Sequence, residues 1–452
     1  MELPSPELIA REVGALIGEL ALERFRHVAG IEKVPRLVEV FGAHSRAAHK
    51  GVVVALESQG EKELAARVAV LRTERVQAAD EEAWRAAETA ASVLGPDGLV
   101  PLSTAQLAVA NERDRGRRRA LGTATAEAAR LPAREAAAEK RAQARAEVGL
   151  VPDWDGVVEA DALLAVSEDA YRDVLAFDAR REGVSSEPAP RGDLSRADLL
   201  YVLALHRFAG LFPRGMLFLV LQRTAAALRL DLGRIGVEEG NRPEQWPGAH
   251  AFETRVSFRR QGGACDWLGL FRAAGQALAA ASLPPASRPS HAMFTMGELF
   301  AALLVDRGFL VARLGADKRE VADLSRSLAL RLLFEMRTRA AALRFATEVD
   351  RGMSGEAWCE AHRETMGLAA LASWPRGLAA RDCDSSRHAG ALRGAARAEI
   401  LRRALVERCD EDWWKNPRSA DLLASWFAAD GDRGGEEPKL APVVGALVAK
   451  MQ

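Results

Sequence analysis

Residues 266–281 constrain the fold most, because their apolar and small side chains recur at the spacing of a helix with one buried face. Phe271, Gly275 and Leu278 fall on that face. Arg272 and Gln276 are four residues apart, so both side chains project from the same side of the predicted helix. The stretch therefore predicts a core helix that presents two polar groups at one place.

The spacing of Arg272 and Gln276 is also the spacing of a zinc-binding helix. In a His-Glu-x-x-His helix the two histidines converge on one metal, and the glutamate is the general base for the metal-bound water. Here Arg272 cannot release its proton to bind zinc, Ala273 is no base, and the Gln276 amide is a poor ligand. On its own, the stretch is more typical of an alanine-rich core helix than of a zinc-binding helix.

Charge and length restrict the classes of partner. The chain has 452 residues, with 62 basic and 63 acidic residues and a formal net charge of -1. No general basic field is present to attract nucleic acid or an acidic membrane surface, so we expect neither as a partner. The longest strongly apolar run, 216–221, is far shorter than the roughly 20 residues that span a bilayer.

The cysteines and the N-terminal residues predict a cytoplasmic protein. No Cys-x-x-Cys pair occurs, which argues against a disulfide framework and a cysteine-built zinc site. Ser5 followed by Pro6 is typical of a helix start rather than of a signal peptide. We expect no cofactor and no bound metal.

Periodicity predicts a mostly α protein. The one clear alternating stretch, 252–258, predicts a single strand that ends near Gly262 and Gly263, just before the central helix. Breaks in the pattern divide the chain into an N-terminal helical region (1–150), a helical domain with a small sheet (151–435) and a C-terminal tail (436–452).

Several separated stretches strengthen the comparison with zinc peptidases. Their order resembles that of the oligoendopeptidase and thimet oligopeptidase-like gluzincin metallopeptidases, a resemblance that spans roughly residues 1–435. These stretches are Phe25-Arg26-His27-Val28-Ala29-Gly30, Ala110-Asn111-Glu112-Arg113-Asp114-Arg115, Phe294-Thr295-Met296-Gly297, Asp382-Cys383-Asp384 with Leu392-Arg393, and Asp412-Trp413-Trp414-Lys415-Asn416-Pro417.

The resemblance implies a zincin-like, helical, clam-shaped body with a small β-sheet next to the degenerate active-site helix. It puts the third zinc ligand at Met296, and the substrate-binding tyrosines near Arg387, His388 and Ala391. Since the catalytic positions are the ones that differ, the resemblance implies a pseudopeptidase with no catalytic and no metal-binding residue. The candidate ligand-binding residues are Arg272, Gln276, Met296, His388 and Arg393.

Three functions are compatible with this sequence. The first is an inactive homologue that binds a peptide or a protein, for example an active homologue. The alternative is a repurposed, metal-free enzyme acting on a peptide-like or other small substrate in the old cleft. The third, a zinc peptidase with unusual ligands, is disfavoured because position 272 and position 276 carry no His or Glu. For Arg272 itself, we favour an ion pair with an acid on a neighbouring helix over a two-point contact with a ligand carboxylate.

Overall fold

A computed structural model describes residues 5–95, 98–148, 156–185, 194–285, 288, 291–353, 357–428 and 438–452. The helices are α1 (Pro6–Val28), α2 (Leu37–Ala43), α3 (Lys50–Ser58), α4 (Lys62–Ala90), α5 (Leu102–Asn111), α6 (Arg115–Ala128), α7 (Pro132–Val148), α8 (Gly156–Arg181), α9 (Arg196–Val202), α10 (Leu217–Ala227), α11 (Gly263–Ser282), α12 (His291–Leu303), α13 (Arg307–Leu314), α14 (Lys318–Asp350), α15 (Ala357–Ala370), α16 (Ser385–Cys409), α17 (Arg418–Ala428) and α18 (Ala441–Met451). The strands are β1 (Ser92–Gly95), β2 (Gly98–Pro101), β3 (Gly236–Glu239), β4 (Gly248–Phe252) and β5 (Arg255–Arg259).

Local sequence explains where the long helices begin. Ser5 caps α1 by accepting a hydrogen bond from the backbone of Leu8, and Pro6 occupies the first turn, as the sequence predicted. Asp317 caps α14 by accepting from the backbone N–H of Arg319 at 2.8 Å. From there α14 runs for 33 residues and buries a stripe that includes Leu324. Its buried apolar residues from Val321 to Leu343 belong to the main core.

The main core joins helices from α8 to α18 and the three-stranded sheet. Residues near the N-terminus form smaller clusters of their own, one built on α1 to α4 and one around α5 and α6. The predicted tail contains α18, whose Val444, Leu447 and Met451 are buried in the main core. The predicted domain boundaries at 150/151 and 435/436 lie outside the described residues.

The small sheet lies next to α11 and has the strand order β3-β5-β4. β3 pairs with β5 in parallel, and β4 pairs with β5 in antiparallel register, Phe252 opposite Arg255. The prediction of one continuous strand over 252–258 was wrong, because the chain turns between β4 and β5. Glu253 has a φ of 49° there, and this left-handed conformation ends the extended backbone.

Ion pairs attach the N-terminal helices to the main body. The buried Asp198 carboxylate, on α9, accepts from Arg118 Nη2 at 2.9 Å and from Arg119 Nε at 2.9 Å, both on α6. On α7, Arg145 Nη1 donates to Asp350 at 3.0 Å. The arginines of α6 therefore partly serve to join helices.

No single helix within the described ranges is long and apolar enough to cross a membrane. One pair, Arg196–Leu211 and Arg214–Ala227, meets the length and composition criteria only when taken together, and it is bent by 81°.

Candidate functional site

Helix α11 orients the two polar residues that the sequence singled out. The helix starts after Gly262, whose φ of 104° suits glycine, and the Asp266 carboxylate accepts from the backbone N–H of Gln261 at 2.6 Å. Most of α11 is buried, whereas Arg272 and Gln276 are partly exposed on one side. The predicted placement of these two side chains is confirmed.

Arg272 forms ion pairs with carboxylates from two neighbouring helices. Its Nε lies 3.1 Å from Glu298 Oε1 on α12, and its Nη2 lies 2.8 Å from Glu335 Oε2 on α14. The three side chains are 16%, 11% and 21% exposed, respectively. The preferred interpretation of Arg272, an ion pair with acids on neighbouring helices, is confirmed.

Two further arginines on α14 complete the cluster, which we call the Arg272 network. Arg339 donates to Glu298 at 2.7 Å, and Arg331 Nε lies 3.4 Å from Glu335. Arg331 also donates to the Cys265 sulfur at 3.1 Å. Five charged side chains, three guanidinium groups and two carboxylates, thus meet where α11, α12 and α14 pack together.

Burial and charge act in opposite directions within the Arg272 network. Burial alone would raise the pKa of Glu298 and Glu335, but the surrounding guanidinium groups outweigh it and hold both pKa values below the ordinary value. Burial alone would lower the pKa of Arg272, but the two carboxylates raise it. Arg272 and its two carboxylate partners are therefore ionised at neutral pH.

Close backbone packing places Glu298, rather than Met296, opposite Arg272. A Cβ added to Gly275 would lie 2.5 Å from the Met296 carbonyl oxygen, so only glycine allows this approach of α11 to α12. Met296 points into the core and its exposed fraction is 0%. The Gln276 side chain lies against Gly297. A Cβ added to Gly297 would lie 2.7 Å from Gln276 Cγ.

The other two predicted site residues lie on α16. Burial is the main cause that lowers the pKa of His388. Asp382 and Asp384 act in the opposite direction, and the charges of Arg387 and Arg339 add to the lowering. Arg393 instead contacts His291 at the start of α12, with 3.4 Å between Nη1 and Nε2.

Sequence reasoning missed most members of the Arg272 network. Glu298 and Glu335 were not predicted, nor were Arg331 and Arg339. The spacing of the three α14 residues, four apart in each step, places them on one helix face and was a usable signal. Glu298 carried no such signal, because its contact with Arg272 depends on how α11 and α12 cross.

The residues at this position do not fit a zinc ion. Zinc needs neutral histidines or unpaired carboxylates and thiolates as ligands, whereas Glu298 and Glu335 are already bound by arginines. Position 272 contributes a permanent positive charge, which repels a cation. Over the part of the chain that the structure describes, no group of three or more His, Cys, Asp or Glu side chains is arranged to hold a metal ion.

Solved structures with the same architecture include proteins described as peptidases. A protein described as an oligoendopeptidase F, from Bacillus anthracis str. Ames, superimposes with a TM-score of 0.59 at 12% identity, covering 98% of this chain and 90% of that chain. PZ peptidase A, solved with an inhibitor, gives 0.57 at 12% identity, with coverages of 99% and 87%. BsuCP gives 0.53 at 11% identity, with coverages of 98% and 99%. The chain has the fold of these peptidases.

The likeness covers nearly the whole chain and confirms the predicted mostly α, zincin-like body with a small sheet beside the central helix. No protein-family model and no curated protein matches the sequence. At 11–12% identity the structural likeness establishes the fold, and the function has to be argued from the site.

Proposed function

We propose that this chain is a cytoplasmic, catalytically inactive homologue of zinc peptidases that binds a peptide or a protein partner, for example an active homologue. One observation carries the proposal: Arg272, paired with Glu298 and Glu335, stands at the helix position where the resemblance puts the first zinc-binding histidine. A guanidinium group there supplies neither a metal ligand nor a base.

The sheet offers a way to bind an extended peptide. β4 lies at the edge of the three-stranded sheet and next to α11. An exposed edge strand binds a peptide through main-chain hydrogen bonds, and flanking pockets add side-chain specificity. Such binding needs no metal, so losing the zinc site leaves it intact.

Peptide binding without cleavage is the direct test. A library of fluorescently labelled decapeptides is titrated with the protein by anisotropy, and bound peptides are recovered and analysed by mass spectrometry. We expect saturable binding and intact peptides. An N-methylated version of the best peptide is the matched control, because it lacks the backbone donors that strand pairing uses. Absence of binding across the library, or equal binding of the N-methylated peptide, contradicts the proposed mode.

A second experiment tests whether the fold around α11 still has the geometry of a zinc site. The triple substitution Arg272→His, Ala273→Glu and Gln276→His restores two histidines four residues apart and leaves Glu298 beside them. We expect this variant to gain zinc affinity, and the further change Glu298→Ala to reduce it by about 10- to 100-fold. Met296→Ala in the same background is the control and leaves zinc affinity unchanged. A zinc affinity that depends on Met296 instead contradicts the placement of Glu298.

The second candidate function is metal-free catalysis, and one local arrangement favours it. His362 Nε2 lies 2.8 Å from Asp382 Oδ2, and within the described structure His388 Nε2 is buried with no hydrogen-bond partner. A histidine with a free nitrogen near carboxylates is a candidate acid or base. Under this function, peptides or small substrates are converted without added metal, and both Arg272→Ala and His388→Gln abolish turnover. Under the proposed binding function, Arg272→Ala only weakens binding or stability.

A further inference from the structure

A second arginine cluster, separate from the Arg272 network, lies between the N-terminal helices and the main body. Arg134 belongs to α7, Arg196 is the first residue of α9, and Arg381 ends the 3-10 helix Arg376–Arg381. Gln106 on α5 lies between Arg196 and Arg381. We call these residues the seam cluster, because they come from both sides of the junction.

Negative charge in the seam cluster falls short of positive charge. Glu88 on α4 lies 3.2 Å from Arg134 Nη1 and 3.8 Å from Arg381 Nη2, so one carboxylate serves two guanidinium groups. The Gln106 amide oxygen, in the orientation that satisfies both donors, accepts from Arg196 Nη2 and Arg381 Nη1 at 3.0 Å each. A neutral amide oxygen thus takes the place that a carboxylate normally occupies between two arginines.

Arg196 is the least compensated member. Within the described ranges its guanidinium has no carboxylate within salt-bridge distance, and its buried Nε has no hydrogen-bond partner. Its guanidinium carbon also lies 5.3 Å from the centroid of the Trp374 ring. Burial, and then repulsion by Arg381, lower the pKa of Arg196 to about 10, although the charge of Asp382 acts in the opposite direction. Such a group is costly to leave without an anion.

The seam cluster is partly exposed to solvent. The Arg381 and Arg134 side chains are 23% and 14% exposed, and Arg196 is partly exposed as well. We propose that Arg196 and Arg381 bind a small oxyanion, a phosphate or carboxylate group, between the N-terminal helices and the main body. The planar, forked donors of arginine suit such groups. The proposal is independent of whether the chain cleaves or binds peptides.

Binding of simple oxyanions to the full-length protein tests the proposal. Thermal unfolding and calorimetric titration are measured with inorganic phosphate and with acetate, and sodium chloride at matched ionic strength is the reference. We expect a saturable rise in melting temperature with at least one of the two oxyanions. Stabilisation by phosphate alone indicates a phosphate-bearing ligand, and stabilisation by acetate indicates a carboxylate. If neither oxyanion raises the melting temperature more than chloride does, the proposal is overturned.

Single substitutions identify the site. Arg196→Gln and Arg381→Gln each reduce oxyanion affinity by about 10- to 100-fold, the effect of losing charge-assisted hydrogen bonds. Arg351→Gln is the matched control, since Arg351 is an exposed arginine paired only with Glu348 in the described structure, and it leaves the affinity unchanged.

The anion-free protein provides a second readout that separates a binding site from a structural contact. Without oxyanion, Arg196→Gln leaves the melting temperature unchanged or raises it, because it removes a poorly compensated, partly buried charge. A structural role predicts the opposite. If Arg196→Gln lowers the melting temperature in chloride and keeps wild-type oxyanion affinity, the inference is wrong.

Discussion

Replacing Arg272 with methionine tests the Arg272 network, because it removes the central charge while keeping an unbranched side chain. Glu298 keeps Arg339 at 2.7 Å, and Glu335 keeps Arg331 at 3.4 Å, but both lose their contact with α11. Breaking a buried ion pair by removing one partner costs about 3–5 kcal/mol. Since each carboxylate retains one arginine, we expect the lower end, about 3 kcal/mol in the free energy of unfolding.

The assay is denaturant unfolding followed by circular dichroism, with thermal unfolding as a second measure. With an unfolding entropy of about 2 cal/mol/K per residue, a loss of about 3 kcal/mol lowers the melting temperature of a chain this long by about 3 °C. Arg351→Met is the matched control, because Arg351 is 67% exposed and its loss costs within about 0.5 kcal/mol. Adding Glu335→Gln to Arg272→Met costs less than Glu335→Gln does in the wild type, because the contact between Glu335 and Arg272 is already lost.

The pH dependence gives the same prediction an independent check. The pKa values of Glu298 and Glu335 are lowered in the folded wild type, so their stabilisation is full above about pH 5 and is lost as the pH falls through the lowered values. In Arg272→Met, the effect of burial, which raises the pKa values of Glu298 and Glu335, is opposed by fewer positive charges. Both carboxylates therefore protonate at a higher pH than in the wild type. The stability difference between wild type and variant therefore shrinks between pH 7 and pH 4. An Arg272→Met variant that unfolds like the Arg351 control at every pH refutes this account.

Three further perturbations probe the fold. Gly275→Ala costs about 1–3 kcal/mol in unfolding free energy, because the added Cβ lies 2.5 Å from a backbone oxygen, whereas Gly18→Ala on α1 meets nothing within 4 Å and is neutral or stabilising by up to about 1 kcal/mol. Burial lowers the pKa of His27 to about 4, so the folded state must keep this histidine neutral, and the free energy of unfolding falls as the pH drops from about 6.5 towards 4. His27→Gln removes this pH dependence and flattens that part of the stability–pH curve. Asp198→Asn leaves the buried Arg118 without its carboxylate and costs about 3–5 kcal/mol by denaturant unfolding, unless α6 detaches from α9, which proteolysis would detect.

Local signals in the sequence were sufficient for the helices. Ser5 and Pro6, for example, marked the start of α1. Capping groups and 3.6-residue periodicity act over a few residues, so they are visible without the fold. The hairpin of β4 and β5 was missed because the alternation runs straight through Glu253, whose left-handed conformation is not typical of glutamate.

The site was only half predictable for the same reason. Arg272 and Gln276 share a helix, so their common side followed from spacing alone. Glu298 lies 26 residues from Arg272, and its contact with Arg272 follows from the close approach of α11 and α12 at Gly275. The resemblance to zinc peptidases put the third zinc ligand at Met296, whose side chain is buried in the core. Long-range geometry of this kind is set by packing and not by any local pattern.

The most direct test of the central claim, that Arg272 and its partners have replaced the zinc site, is the metal content of the wild-type protein. The full chain is purified from cells grown with added zinc, and bound metals are measured by elemental analysis alongside hydrolysis of unstructured peptides. The account predicts far less than one zinc ion per chain and no peptide cleavage. About one zinc ion per chain, removable by a chelator together with peptide cleavage, would contradict it.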